Sequence, residues 1–79
     1  MDKILSQYRS GESGIVKQVS GAGAIRRRLL DMGVTPGARI TMRKVAPLGD
    51  PIEVTVRGYE LTLRKAEADC VVMKEDNNA

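Results

Sequence analysis

The sequence has no histidine, no phenylalanine and no tryptophan, and it has only one cysteine. Without histidine, the side chain that most often serves as a general base or as a nitrogen ligand for metal ions is missing. Cys70 cannot form a disulfide within the chain, which fits a reducing compartment, and its apolar surroundings favour an inert thiol over a nucleophile. We therefore expect neither an enzyme nor a chain that binds a cofactor or holds a metal ion tightly.

Long apolar runs are also missing. No stretch approaches the ~18 residues of a membrane-spanning helix, and the N-terminus lacks the apolar centre of a secretory signal. The net charge of +3 is mild, and the aromatic residues on which nucleic acid bases stack in small barrels are scarce. These absences predict one intracellular domain over residues 1–79, with no direct insertion into a membrane and no binding of nucleic acid.

One helix is predicted between two strands. Gly21-Ala22-Gly23 opens it, and we expect it to reach about Met32. Gly33 follows as a left-handed cap. Apolar residues recur along it at the spacing of a stripe that faces the core. The members of this stripe are Ile25, Leu29 and Met32.

The basic run Arg26-Arg27-Arg28 lies on the same predicted helix. Leu30 falls off the core-facing stripe, one turn after Arg26, so these two residues are candidates for contact with a partner. The alternative is a solvated helix face on which the arginine stems cover the edge of the core.

Four further segments alternate or cluster apolar residues as strands do. We predict strands at 15–19, 39–45 and 70–73, with a hairpin over 52–65. Gly58-Tyr59 is taken as the hairpin loop, which places Val56 opposite Leu61 and Val54 opposite Leu63. A bulge or a strand end is expected at Lys44-Val45, where the alternation breaks.

These elements predict a mainly β protein with a short helical insertion. About five strands in so short a chain favour a small, strongly curved sheet that closes as a barrel. We expect its core over about 14–73 and a frayed tail at 74–79. Ile4, Leu5 and Tyr8 show helical spacing, which is compatible with a turn or an arm before the core.

The segment Ala46-Pro47-Leu48-Gly49-Asp50-Pro51-Ile52 predicts a shaped loop between two strands. Each proline restricts its own backbone and that of the residue before it. Leu48 lies near the tip, where a polar residue is normal. We expect Pro47, Leu48 and Asp50 to form a contact surface, the alternative being that Leu48 folds back onto the core.

Three segments together resemble the FeoA family, the small cytosolic component of bacterial ferrous iron transport. They are Arg28-Leu29-Leu30-Asp31-Met32-Gly33-Val34-Thr35-Pro36-Gly37, then Ala46 to Ile52, then Gly58-Tyr59-Glu60-Leu61-Thr62-Leu63-Arg64-Lys65-Ala66-Glu67-Ala68. The resemblance covers about 14–73. It implies an SH3-like β-barrel and a partner, the membrane iron transporter FeoB, which carries a cytoplasmic GTP-binding domain.

The resemblance and the residue chemistry together predict an interaction module that binds the cytoplasmic part of a FeoB-type transporter. It would stay in the cytoplasm and reach the inner face of the membrane through that partner. A regulator of GTP hydrolysis, using Arg26, is the alternative, and an iron carrier or a nucleic-acid-binding module is less favoured. An exposed apolar loop would also suit weak self-association. The expected contact residues are Arg26, Leu30, Met32, Pro47, Leu48 and Asp50.

Overall fold

The computed structural model describes residues 3–75. The strands are β1 (Lys3–Ile4), β2 (Ser13–Val19), β3 (Arg39–Val45), β4 (Ile52–Val56), β5 (Tyr59–Leu63) and β6 (Val71–Glu75). The helices are α1 (Gly23–Asp31) and α2 (Lys65–Ala68), and a 3-10 turn spans Leu5–Gln7.

All strand pairs are antiparallel, and the sheet order is β1-β6-β2-β3-β4-β5. The predicted mainly β fold with a helical insertion is confirmed. Residues 3–75 form six strands instead of about five, because the two-residue β1 adds an edge strand. Lys74 belongs to β6 and pairs with Ile15, and β6 ends at Glu75, so the strand includes the first two residues of the predicted tail. Residues 76–79 of that predicted tail lie outside the described residues.

The packed core begins earlier in the chain than residue 14. Leu5 is 0% exposed and Tyr8 is buried, and both belong to the core cluster. The Arg9 N–H donates to the Glu12 carboxylate at 2.6 Å. This hydrogen bond, with the nearby Lys3 ammonium, lowers the pKa of Glu12. At one end Ile4 pairs with Val72 of β6, and at the other the Gly11 N–H donates to the Met42 carbonyl of β3 at 2.8 Å. Residues 3–12 therefore form an arm that is fixed against the sheet at both of its ends.

Helix α1 ends as its sequence predicts. Gly33 has a φ of 92°, the left-handed conformation expected of a C-terminal cap. A turn follows in which the Ala38 N–H donates to the Thr35 carbonyl at 2.9 Å. Pro36 and Gly37 occupy its centre, as in a type II turn. Among residues 3–75, no helix is long and apolar enough to cross a bilayer.

The β4–β5 hairpin turns one residue earlier than predicted. Its loop is Arg57-Gly58, with φ values of 51° and 85°, which is typical of a type I′ turn. Val54 therefore pairs with Leu61, and Val56 with Tyr59. The predicted pairs were wrong by two positions. The predicted faces were right, since a shift of two residues returns each side chain to the same face.

Contacts with the end of α1 explain why the turn lies at Arg57-Gly58. The Arg57 guanidinium donates to the Gly33 carbonyl at 3.2 Å and to the Thr35 hydroxyl at 2.6 Å. The Tyr59 hydroxyl donates to the Met32 carbonyl. The bonds to the Met32 and Gly33 carbonyls provide donors for groups that the helix end leaves without intrahelical partners. Together with the bond to Thr35, they offset the cost of a positive φ at Arg57.

Replacing Tyr59 with phenylalanine should lower the free energy of unfolding by about 1 kcal/mol, because the Met32 carbonyl loses its side-chain donor. Urea denaturation measures the change. Thr62→Val on the same strand is a suitable control, because Thr62 is exposed and no hydrogen bond of the described residues uses its hydroxyl. Equal stability of Tyr59→Phe and the parent chain would show that the hairpin is not held by this bond.

Candidate functional site

The loop between β3 and β4 is closed by its own backbone hydrogen bonds. The Gly49 N–H donates to the Ala46 carbonyl at 2.7 Å, which forms a turn with Pro47 and Leu48 at its centre. The Ala46 N–H donates to the Pro51 carbonyl at 3.1 Å and closes the base of the loop. The predicted shaped loop is therefore present, and it holds Leu48 at its tip.

Leu48 projects away from the protein. Its side chain is 94% exposed, and the neighbouring Pro47 is also exposed. The alternative in which Leu48 folds back onto the core is wrong, because the turn directs it into solvent. A large apolar side chain in this position gains nothing for folding, and burying it against another molecule would remove its apolar surface from water.

An open groove of about 520 Å³ lies beside this loop. We call it the loop groove. Its walls come from β3, β4 and β5, from the loop itself and from one residue of the N-terminal arm, and none of its lining residues belongs to α1. Its lining is Ser10, Lys44, Val45, Ala46, Pro47, Pro51, Glu53 and Thr62.

Val45 and Pro51 belong to this surface, although they are not among the contact residues predicted from the sequence. Met42 pairs with Val54 and Val45 pairs with Ile52, with a bulge between Met42 and Lys44. Because the bulge adds one residue, Val45 follows Met42 on the same face, but at the end of the sheet it remains 39% exposed. The broken alternation at Lys44-Val45 was the signal that could have identified it.

Asp50 has a structural role within the loop. Its Oδ1 accepts a hydrogen bond from the Lys65 N–H at 3.0 Å, which joins the loop to the start of α2. The side chain is exposed, so its second carboxylate oxygen remains accessible to a partner. Asp50 therefore lies exposed in the same loop as Pro47 and Leu48, and it also makes a bond that fixes the loop.

Arg26 is anchored to its own domain. Its Nε donates to the Val19 carbonyl at 3.2 Å, which ties α1 to the end of β2. The residue is exposed, so the rest of its guanidinium can still contact another molecule. Part of its hydrogen-bonding capacity is nevertheless committed within the chain.

Leu30 and Met32 are less available than predicted. Both are half-buried and pack against the core, as Ile25 does, while Leu29 is fully buried. Leu30 therefore shares in the packing of α1 against the core, although it lies off the stripe. The apolar surface of the candidate site is concentrated on the β3–β4 loop.

The acidic and thiol groups are dispersed. Within residues 3–75, no cluster of three or more cysteine, aspartate and glutamate side chains is placed to hold a metal ion. The half-buried Cys70 thiol donates to the Ala66 carbonyl at 3.5 Å. The expectation that this chain binds no metal tightly stays a prediction.

Comparison with known proteins identifies one family. The FeoA domain model matches residues 3–75. A fusion of Fe(2+) transport protein A and the Fe(2+) transporter FeoB from Porphyromonas gingivalis is 36% identical over 64 residues. That match covers 81% of this chain and 8% of the fusion protein, so this chain corresponds to a small part of that relative.

Solved structures of similar proteins have the same fold. The FeoA-like protein from Clostridium acetobutylicum is 31% identical with a TM-score of 0.88, covering 99% of this chain and 91% of that one. FeoA from Stenotrophomonas maltophilia, a procaryotic SH3 domain protein complexed with zinc, is 32% identical with a TM-score of 0.80. This second match covers 91% of this chain and 89% of that one. The predicted SH3-like fold is thus confirmed.

Proposed function

Because this chain belongs to the FeoA family, we propose that it supports ferrous iron uptake by binding the cytoplasmic part of a FeoB-type iron transporter. The chain would act by contacting the transporter and would be recruited by it to the inner face of the membrane. The contact surface consists of Pro47, Leu48 and Asp50 together with the loop groove. We call these three residues and the groove the loop surface.

The exposure of Leu48 is the observation that carries this proposal. Small interfaces depend on a few apolar anchors that become buried in the complex. Leu48 is presented on a loop that is already closed by hydrogen bonds, so binding orders little additional chain. The exposed flank of Val45 and the open groove beside it extend the apolar surface around this anchor.

The fusion protein of Porphyromonas gingivalis supports the choice of partner. There, a segment similar to this chain belongs to one protein with the transporter. Joining two modules in one chain raises the effective concentration of one near the other, which favours even a weak contact. The loop surface would provide such a contact in this chain.

The alternative role in GTP hydrolysis gains no support from Arg26. An arginine that stabilises phosphoryl transfer in a partner must extend its guanidinium into the partner's site. Here the Arg26 Nε is bonded to the Val19 carbonyl. Measuring GTP hydrolysis by the transporter with and without this chain separates a regulatory role from simple binding.

Co-purification with a FeoB-type transporter tests the proposal. The tagged chain should capture the transporter, and Leu48→Arg should weaken the complex by about 2 kcal/mol, which is about thirtyfold in affinity. The reason is that a charged side chain replaces the apolar anchor and resists burial. Circular dichroism should find both chains equally folded, because Leu48 makes no core contact.

Gln18→Arg is the matched control, since it adds the same charge at another exposed position, on β2. It should capture the transporter as well as the parent chain does. Equal capture by the parent chain and Leu48→Arg would remove the loop surface from the interface. Failure of the folded parent chain to capture the transporter would refute the proposed partnership.

A further inference from the structure

A second groove, far from the loop in sequence, lies between α1 and the start of α2. It has a volume of about 290 Å³ and is open to solvent. We call it the helix groove. Its lining is Ala24, Ile25, Arg28, Arg64, Ala66 and Glu67. It shares no lining residue with the loop groove.

Within residues 3–75, Glu67 is the one acidic residue that lines the helix groove, and its carboxylate already has partners within the chain. Glu67 is buried, and its Oε1 accepts a hydrogen bond from the Arg64 N–H at 2.9 Å. Its Oε2 lies 3.4 Å from the Arg28 Nε. Both oxygens of Glu67 therefore have partners within the chain, and this carboxylate is not free to neutralise a second arginine.

Arg28 and Arg64 differ in whether a carboxylate neutralises their positive charge. Arg28 is paired with Glu67, although its side chain remains 61% exposed. No carboxylate of the described residues pairs with the exposed Arg64 guanidinium. The groove thus carries an excess positive charge at its rim, with half-buried Ile25 and the two alanines supplying apolar surface between the arginines.

We infer that the helix groove binds an acidic segment of a partner protein, with an apolar side chain of that segment packed beside Ile25. A carboxylate suits Arg64 because a guanidinium can donate two parallel hydrogen bonds to it. The apolar surface between Ala24 and Ala66 favours a segment with a neighbouring leucine or similar side chain over a bare anion. This site does not depend on the loop surface.

The three arginines of the basic run Arg26-Arg27-Arg28 have different surroundings. Arg26 bonds to the Val19 carbonyl, and Arg28 lines the helix groove. Arg27 is exposed and lines neither groove. Arg27 therefore provides a control with the same charge as Arg64 at a position outside the proposed site.

Titration of the ¹⁵N-labelled chain with a short synthetic peptide rich in leucine and glutamate tests this inference by NMR. Amide signals of Ala24, Ile25, Arg28 and Ala66 should shift in a saturable manner, and added sodium chloride should weaken binding. Arg64→Gln should weaken the affinity about fivefold, the upper end for an exposed ion pair. Arg27→Gln and Leu48→Arg should bind the peptide as the parent chain does.

A counterpart peptide with glutamine in place of every glutamate separates charge recognition from simple apolar contact. An equal response to this peptide, an equal loss in Arg27→Gln, or no saturable shift with the glutamate peptide would overturn the inference. If a single-stranded oligonucleotide bound at the same amides more tightly than the peptide does, nucleic acid would be the ligand of this groove and the acidic protein segment would be ruled out. Equal capture of the transporter by the parent chain and Leu48→Arg would contradict the role of the loop surface alone. The role of the helix groove is therefore tested independently of it.

Discussion

Replacing Leu5 with alanine is expected to lower the free energy of unfolding by about 3 kcal/mol. Leu5 is fully buried and belongs to the same core cluster as the central strands, so alanine would leave a cavity among them. A domain of this length has about 4 to 12 kcal/mol of stability in total. The substitution should therefore remove a large part of it, which urea or thermal denaturation would measure.

Leu48→Ala is the matched control, because it makes the same chemical change on an exposed side chain. Its effect on stability should stay within about 0.5 kcal/mol. An effect of Leu5→Ala as small as that of Leu48→Ala would contradict the assignment of Leu5 to the core. It would also mean that residues 3–12 do not act as an essential part of the folded domain.

Replacing Gly14 with alanine is expected to destabilise the protein by about 2 kcal/mol through overpacking. A Cβ at this position would clash with the Tyr8 hydroxyl and would lie 3.0 Å from the Lys74 carbonyl oxygen. Gly14 is also paired in the sheet with both β3 and β6. Relief of the clash would have to move the N-terminal arm or separate β2 from β6, and denaturation curves would report the cost.

Gly23→Ala provides the comparison for this prediction. Apart from its chain neighbours and the backbone of α1 itself, nothing lies within 4 Å of the Cβ that it would add, and Gly23 is the first residue of α1. Alanine is favoured over glycine in helices, so this variant should be as stable as the parent chain or slightly more stable. If Gly14→Ala were equally harmless, Tyr8 would not pack against β2 as closely as the structure indicates.

The hairpin illustrates how far local sequence patterns reach. Alternation of apolar and polar residues predicted which side chains of β4 and β5 face the core, and the burial of Val54, Val56 and Leu63 agrees. Alternation repeats every two residues, so it does not distinguish registers that differ by two. The choice between them came from the bonds of Arg57 and Tyr59 to the end of α1, which are distant in sequence.

The candidate site was predictable in part for a similar reason. Prolines and glycine restrict the backbone locally, so the loop around Leu48 could be recognised from the sequence alone. Whether Leu30 packs against the core, or whether Arg26 binds a distant carbonyl, depends on how α1 lies on the sheet. The helix groove joins residues about 40 positions apart, and no local pattern brings them together.

The sequence by itself determined the mainly β class, the positions of the longer strands, the ends of α1 and the shaped loop, because each depends on short-range periodicity or on backbone restrictions. Only the tertiary structure decided the hairpin register, the inclusion of Leu5 and Tyr8 in the core, the outward projection of Leu48 and the pairing of Arg28 with Glu67. These features depend on contacts between segments that are separated in the chain, and the free energy of such contacts arises only when the whole fold assembles.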